Sequence, residues 1–509
     1  MESFLCLKVI VVSGLIWLFH MVFYNMWFHP LSCYPGPWYT RGSRLWYIFK
    51  VFQGRHKIAI KELHDEYGLV VRIAPNELSY IDPKAWNDIY GASAHHNGSS
   101  TLEKDQEFFA TAFGDSNNLV GAKSDTYKVQ KNNAVRGFSH GQLLQKGDVM
   151  SSHLQFFVQN LRSHLASKAD QGIIDIDAWI GNLILDIHVA LTIGSEFHAI
   201  SKGPSSHSLV NNMHKTVTIL QYCTQLLYLP LPITRISALP IFSGRDILST
   251  FTRVSSLGTA INERLERMYS AEKCTDFVHR MMTDQRGGTI DHDTIKRNAL
   301  IIILSGIETI PDYICSVLFY TLETPEYFTR LREEITSTFR NCAEISATSV
   351  QNLRFLKACM HESLRLAPPF VGTLPRRVPT STSGVTICGQ FVPSGTTVGI
   401  HNWSITHSRR FWKDPEHFKP DRWMGDSSYT DDMREAFHPF GFGPRACVAR
   451  NLVFIEASLI LARMLFEFDM QLDSSSHNWP TRKGHLVPVK RPLFVKVMSG
   501  TRESTTTEA

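Results

Sequence analysis

The chain has 509 residues, 43% of them hydrophobic and 19% charged, with a formal net charge of +5. That composition suits a globular core large enough to bury a prosthetic group and leaves little room for extended disorder. So small a charge, with no basic stripe interleaved with aromatics, excludes nucleic acid as an expected partner, while a weakly basic face is still able to meet an acidic redox protein. The nine cysteines are scattered, odd in number and free of any Cys-x-x-Cys pair, so neither a disulfide framework nor a zinc site is expected. Reduced thiols on the cytosolic side are expected instead.

The first element is the stretch Val9 to Phe28, which carries no formal charge and is long enough to cross a bilayer core of roughly 30 Å as a helix. Bulky aromatics run to its end at Trp27 and Phe28, where a cleaved signal peptide would place small residues, so a retained anchor is expected. Arg41, Arg44, Lys50 and Arg55 lie downstream and only Glu2 precedes the Lys8 border, so the positive-inside rule puts the body in the cytosol. Residues 1–28 are therefore read as the anchor and 29–45 as a stiff hinge, since Pro30, Pro35 and Pro37 restrict the backbone. Beyond the hinge no internal repeat or long linker divides the chain, so 46–498 reads as one large domain. The Ser/Thr/Glu-rich residues 499–509 read as a disordered tail.

Within that domain, short alternating segments at Val70 to Ile81 and Val385 to Val398 predict strands of a small sheet, and helical periodicity dominates the rest. The fold class is mainly α with a small β region. The apolar run Leu300 to Tyr320 is interrupted by Ser305-Gly306-Ile307-Glu308-Thr309, and a glycine beside a carboxylate and a hydroxyl is unusual in a purely structural helix. Pro311 lacks the N–H that would bond the Ile307 carbonyl, which predicts a kinked or widened helix there. In Leu356 to Leu366, Glu362 and Arg365 are three residues apart, share a face and can pair.

The last motif is Phe440-Gly441-Phe442-Gly443-Pro444-Arg445-Ala446-Cys447-Val448-Ala449. After Cys447 the apolar residues Val448, Leu452, Ile455, Leu459, Ala462 and Phe466 recur at three- and four-residue intervals, which predicts one buried face of a long helix with Cys447 at its N-terminus. Unpaired amides and the helix dipole at such an end favour the thiolate that binds iron. Gly443 permits a tight turn, and Arg445 offers a forked cation near the sulfur. On the pattern Phe-x-x-Gly-x-Arg-x-Cys the chain resembles the cytochrome P-450 superfamily of haem-thiolate monooxygenases, with Ala449 where the family's loop ends in glycine. Phe28-His29-Pro30-Leu31, Pro35-Gly36-Pro37 and the stretch Tyr67 to Leu78 are similar to microsomal members from filamentous fungi.

That resemblance implies the cytochrome P-450 fold preceded by one transmembrane helix, with haem b bound through the Cys447 thiolate. Ser305, Gly306, Glu308 and Thr309 match the family's oxygen-activating motif, in which the small pair makes room for dioxygen and the acid and alcohol relay protons. Ile310 stands where many relatives have a second threonine. Arg445, Arg376 and Lys131, with Tyr127 beside it, match positions that hold the haem propionates, and Phe440 and Gly443 shape the loop against the cofactor. Glu362, Arg365 and Arg422, the last within Phe418 to Trp423, match a buried Glu-Arg-Arg network under the haem. By the same resemblance the pocket is lined from residues 92–123 and 216–242, from Ile301 and Ser305, from Val371 to Leu374, and from Leu486 and Val487, which implies a hydrophobic substrate.

No NADPH- or flavin-binding fingerprint is present, so electrons are expected from a separate membrane-bound NADPH-dependent cytochrome P-450 reductase, with cytochrome b5 as an optional second donor. The implied location is the endoplasmic reticulum membrane, single-pass, with the catalytic domain in the cytosol. The implied reaction inserts one oxygen atom from O2 into a hydrophobic small molecule during fungal secondary metabolism, with terpenoid, polyketide and alkaloid substrates all open. Two alternatives stand beside it: haem-dependent isomerisation, dehydration or ring coupling without net oxygen insertion, and a non-catalytic haem sensor.

Overall fold

Helix forms where the apolar period is helical, and the longest such stretches pass through the centre of the molecule. The structure, a computed structural model, describes residues 2–92, 102–112, 117–167, 172–203, 208–228, 256–267, 276–283, 290–484 and 486–499. The helices that build the site are α1 (Glu2–Trp27), α2 (Leu45–Phe52), α3 (Ser124–Val135), α4 (Ile176–Ile193), α5 (Ser208–Leu227), α6 (His292–Glu323), α7 (Arg354–Leu366) and α8 (Arg450–Glu467). The 32-residue α6 runs unbroken through Pro311 and is about 48 Å long at 1.5 Å per residue. It starts at Asp291, whose carboxylate accepts the Thr294 amide at 2.8 Å as an N-cap.

α4 is apolar on nearly every side and packs along α6, with Gly194 closing it in the left-handed conformation at φ 63°. Among the described residues, α4 and α6 are the helices found long and apolar enough to cross a bilayer, yet each is 89% buried. They are core helices, hydrophobic all round because protein surrounds them. On α8, Leu452, Ile455, Leu459 and Ala462 are all buried, as the period predicts. These helices share one large apolar cluster.

The predicted strands are present. A five-stranded sheet runs in the order β1 (Val70–Ala74), β2 (Glu77–Tyr80), β8 (Thr397–Ile400), β5 (Arg376–Arg377), β3 (Glu103–Lys104), with β2 and β8 parallel and the other pairs antiparallel. β6 (Gly384–Ile387) and β7 (Gln390–Pro393) form a hairpin. β4 (Ile173–Asp175) and β9 (Phe468–Leu472) flank β10 (Phe494–Ser499). Ser499, expected in the tail, pairs with Phe468 and so belongs to β10. Residues 500–509 lie outside the described residues, as do 93–101, 113–116 and 229–242 of the expected pocket segments.

The hinge is tied down. Beyond Pro37 the chain makes a short helix, Trp38–Gly42, and Thr40 Oγ1 donates to Arg72 O on β1 at 2.7 Å. Arg41 donates to Met26 O at 3.1 Å and to Ser32 O at 2.7 Å, so a cation meets the C-terminal end of α1, where the helix dipole favours it.

Candidate functional site

The cysteine loop folds tightly before α8. Gly441 and Gly443 adopt φ of 75° and 71°, and a Cβ on Gly443 would lie 2.1 Å from the Tyr90 carbonyl oxygen, so glycine is required there for both conformation and space. Cys447 N donates to Phe440 O at 2.8 Å, which closes the loop on itself. The Phe440 ring packs on Phe454 of α8 at 5.2 Å between centroids. α8 begins at Arg450 with Ala449 as N-cap, and the amides of Ala449 and Arg450 and the Arg450 guanidinium all act on the sulfur to favour the thiolate. Burial is the larger influence and raises the Cys447 thiol above its ordinary value, although the residue has an exposed face. A bound metal ion would add to the amides and the guanidinium in favouring the thiolate.

Four cations gather on this loop. Lys131 and Tyr127, one turn apart on α3, both donate to the Pro444 carbonyl, Tyr127 at 3.0 Å. Arg445 lies over the Tyr127 ring at 4.0 Å and donates to Ala122 O at 2.7 Å. Arg376 is buried on β5 over the Tyr90 ring, while its neighbour Arg377 faces the other way and pairs with Asp105 at 2.9 Å, as strand alternation requires. The fourth cation, Lys104, was not expected from the sequence. It sits opposite Arg376 in the β3–β5 register and so shares its face, beneath the Phe109 ring and within 5.9 Å of Tyr127.

Among the described residues no carboxylate pairs with Lys104, Lys131, Arg376 or Arg445. Burial, with Arg445 adding to it, pushes Arg376 down to about 10. Burial, then Arg376 and Arg445, press Lys104 well below the ordinary lysine range, and Lys131 and Arg445 are lowered chiefly by burial. Mutually repelling cations, Lys104 and Arg376 buried and Lys131 and Arg445 half-buried, are a site built for a polyanion. Beside a cysteine sulfur, that donor set fits haem, with its two propionates and thiolate-bound iron.

On α6 the expected residues divide between two faces. Ser305 is exposed and Thr309 half-exposed, and Thr309 Oγ1 donates to Ser305 O at 2.8 Å, turning the hydroxyl along the helix. Gly306 faces elsewhere. A Cβ there would lie 2.0 Å from His188 Cε1 and 2.2 Å from His188 Nδ1, so the room that Gly306 leaves is taken by the His188 imidazole of α4 and not by space for dioxygen. His188 Nε2 in turn lies 3.1 Å from Glu456 Oε2 on α8, both fully buried. Gly306 thus lets the oxygen-motif helix approach a pair that reaches the cysteine helix. Glu308 is buried beside it.

Glu362, Arg365 and Arg422 converge as expected. Glu362 accepts from Arg365 Nη2 at 2.8 Å, Arg365 Nε at 3.0 Å and Arg422 Nε at 3.0 Å. Its carboxyl is held below the usual range: burial opposes the charge, but Arg365 and then Arg422 outweigh it. The network is larger than three residues. Trp423 Nε1 donates to Glu362 at 2.9 Å, and Asp432 pairs with Arg422. Arg365 also binds the carbonyls of Thr406, Pro415 and His417, which ties α7 to the segment ahead of the cysteine loop.

Parts of four expected pocket segments meet in an apolar cluster of Phe108, Phe109 and Leu486, with Val120, Tyr228, Phe370 and Leu374 against it, whereas Ile301 and Ser305 of α6 are not part of that cluster. Val371 N donates to Leu486 O at 3.1 Å, and Leu486 N donates to Gln221 Oε1 of α5 at 2.6 Å.

Comparison with known proteins agrees with this geometry. The model of the family described as cytochrome P450 matches residues 34–497. Among similar proteins, the cytochrome P450 monooxygenase atr2 of Stereocaulon alpinum is 32% identical over 94% of this chain and 92% of its own length. The cytochrome P450 monooxygenase prhB of Penicillium brasilianum is 30% identical over 96% and 97%. A fusicoccadiene 8-ol C-16-hydroxylase of Phomopsis amygdali is 31% identical over 96% and 92%.

Proposed function

The chain belongs to the cytochrome P450 family, and from that premise we propose that it inserts one oxygen atom from O2 into a hydrophobic small molecule in fungal secondary metabolism. The observation that carries the reading is the convergence of Lys104, Lys131, Arg376 and Arg445 on the loop that presents Cys447. When bound, haem supplies oxygen activation at an iron held by the Cys447 thiolate, whose electron donation favours O–O cleavage. The four cations would hold the propionates, and Tyr127 and Lys131 brace the loop through the Pro444 carbonyl. Thr309, oriented by its bond to Ser305 O, and the buried Glu308 hold and pass protons on the oxygen side. Phe108, Phe109 and Leu486 bind the substrate's apolar surface and keep water away from it. One relative is by name a C-16-hydroxylase, and hydroxylation is the reaction class we carry over.

Surface chemistry supports a membrane placement. The side chains of α1 are exposed along most of its length, and its 26 residues span about 39 Å, more than a bilayer core requires. Next to it Trp38, Leu45, Phe49 and Phe52 are exposed, and Phe52 stacks on Tyr222 of α5 at 4.5 Å, near the exposed Ile219 and Leu226. We read α1 as the single anchor of an endoplasmic reticulum protein and this apolar face as the part of the cytosolic domain that meets lipid. Electrons from the separate reductase enter beside the cysteine loop. There Arg354, Lys357 and Arg450 rim a groove of ≈ 450 Å³ beside Phe440, whose lining has no carboxylate, a surface suited to an acidic NADPH-dependent reductase.

Two measurements test the reading. The reduced carbon-monoxide complex of the parent protein should show the absorption of thiolate-ligated haem, and Cys447→Ala should lose it. Turnover with NADPH, reductase and labelled oxygen should then place label in the product. Product without label would sink the monooxygenase reading in favour of isomerisation, dehydration or ring coupling.

A further inference from the structure

Pro311 has no amide hydrogen, so the Ile307 carbonyl, one turn earlier on α6, is denied its usual helical donor. Glu308 and Thr309 follow that carbonyl directly, so any slackness there falls on the two residues assigned to proton delivery. A donor arrives from far along the chain. Lys490 Nζ, in the segment leading into β10, lies 3.4 Å from Ile307 O and 3.9 Å from Asp177 Oδ1 near the start of α4. Both side chains are largely withdrawn from solvent, 11% and 13% exposed. The charged and titratable groups that act on Lys490 are Asp177 from α4 and Glu308, Asp312 and Cys315 from α6. Burial works against the ammonium, but Asp177, then Glu308 and Asp312, carry it above the ordinary lysine range, so it stays charged. An ammonium has three donors and can serve several acceptors at once.

We infer that Lys490 is a positioning residue for proton delivery: it stands in for the amide hydrogen that Pro311 lacks, so it fixes the turn of α6 that carries Glu308 and Thr309 and brings a positive charge to that turn. The inference rests on the reading of Glu308 and Thr309 as proton carriers, but its helical half, the bond to Ile307 O, stands apart from that reading.

The test uses the full-length holoenzyme in membranes with an NADPH-dependent reductase and no added substrate. Two quantities are read: the ratio of hydrogen peroxide to water formed per NADPH, and the urea midpoint of the protein. Lys490→Met should raise the peroxide ratio about tenfold, less than the roughly hundredfold or more lost with a positioned acid–base group itself because Lys490 acts only through Glu308, and should lower the urea midpoint. Lys490→Gln, which keeps a donor for Ile307 O but loses the charge, should keep the midpoint and still raise the ratio. Lys490→Arg should restore both. In a Pro311→Ala background the added amide hydrogen takes the Ile307 carbonyl, so Lys490→Met should no longer lower the midpoint. An unchanged peroxide ratio in both Lys490→Met and Lys490→Gln would overturn the inference, and so would an equal loss of midpoint in both backgrounds. If Glu308→Gln and Thr309→Ala leave the ratio unchanged, the relay reading itself fails and the proton half falls with it, while the Pro311 cycle still decides the helical half.

Discussion

Gly306→Ala is the substitution that most sharply separates a packing role from an oxygen-pocket role. The added methyl would sit 2.0 Å from His188 Cε1, so the ring must retreat by about 1.5 Å to reach ordinary contact, and overpacking of that kind costs about 1–3 kcal/mol. The ring cannot retreat freely, because its Nε2 lies 3.1 Å from Glu456 Oε2 in a fully buried pair. Breaking that bond adds about 1–3 kcal/mol. Against this stands the gain of about 1 kcal/mol from replacing a mid-helix glycine with alanine. The net expectation is a loss of roughly 1–5 kcal/mol, combining these terms.

The assay is a urea titration that follows the absorbance of the reduced carbon-monoxide complex, applied to a double-mutant cycle with His188→Ala. His188→Ala alone should cost about 3 kcal/mol, since it strands the buried Glu456 carboxylate. On top of it, Gly306→Ala should become neutral or stabilising by up to about 1 kcal/mol, because only the helix-propensity gain remains. The sign change is the diagnostic. An equal loss in both backgrounds, or a stable Gly306→Ala protein altered only in oxygen use, would refute the packing account.

Three further outcomes follow from the same geometry. Glu362→Ala leaves Arg365 and Arg422 buried without their shared acceptor and should cost about 3–5 kcal/mol, seen as protein recovered without haem; Glu362→Gln should be milder. The buried His64, bonded to Gly68 O and Ser79 Oγ, is pushed down to about 4, chiefly by burial. The folded chain thus takes up this proton only near pH 4, while the unfolded chain takes it near 6.5. The stability linked to His64 is therefore present above pH 6.5 and lost as pH falls from 6.5 to 4, a span worth about 3 kcal/mol. His64→Gln should flatten the pH dependence of the urea midpoint over that window. Finally, Lys104→Met should weaken haem retention, measured by transfer of haem to an acceptor protein, and Lys104→Arg should preserve it. Because Lys104 is held well below the ordinary lysine range without a counter-anion, haem uptake by the apoprotein should draw in a proton and weaken as pH rises, and Lys104→Met should reduce that dependence.

What could be read from the sequence was local. The cysteine loop, the face of α8, the i,i+3 pairing of Glu362 with Arg365 and the i,i+4 pairing of Tyr127 with Lys131 all lie within a turn or two of chain, where backbone geometry dictates which side chains share a face. An apolar run marked α6 and alternation marked the small sheet, and the loop motif was specific enough to name the family. Partner identity across the fold was another matter. Lys104 joins the cation cluster only because a two-residue strand pairs with β5, and nothing around Lys104 in the sequence signals that pairing. Trp423 and Asp432 complete the Glu362 network by packing alone.

Gly306 shows the limit most clearly. Its type and motif were legible, but which neighbour fills its missing side chain depended on how α4 lies against α6, and that neighbour is His188. Likewise the sequence by itself determined that Ile307 loses a donor at Pro311, since proline chemistry is local. Only the tertiary structure decided that Lys490, 183 residues away, supplies one. Torsional preference and side-chain period act over a few residues and are written in order along the chain, whereas the partner of a buried charge or an orphaned carbonyl is set by three-dimensional packing.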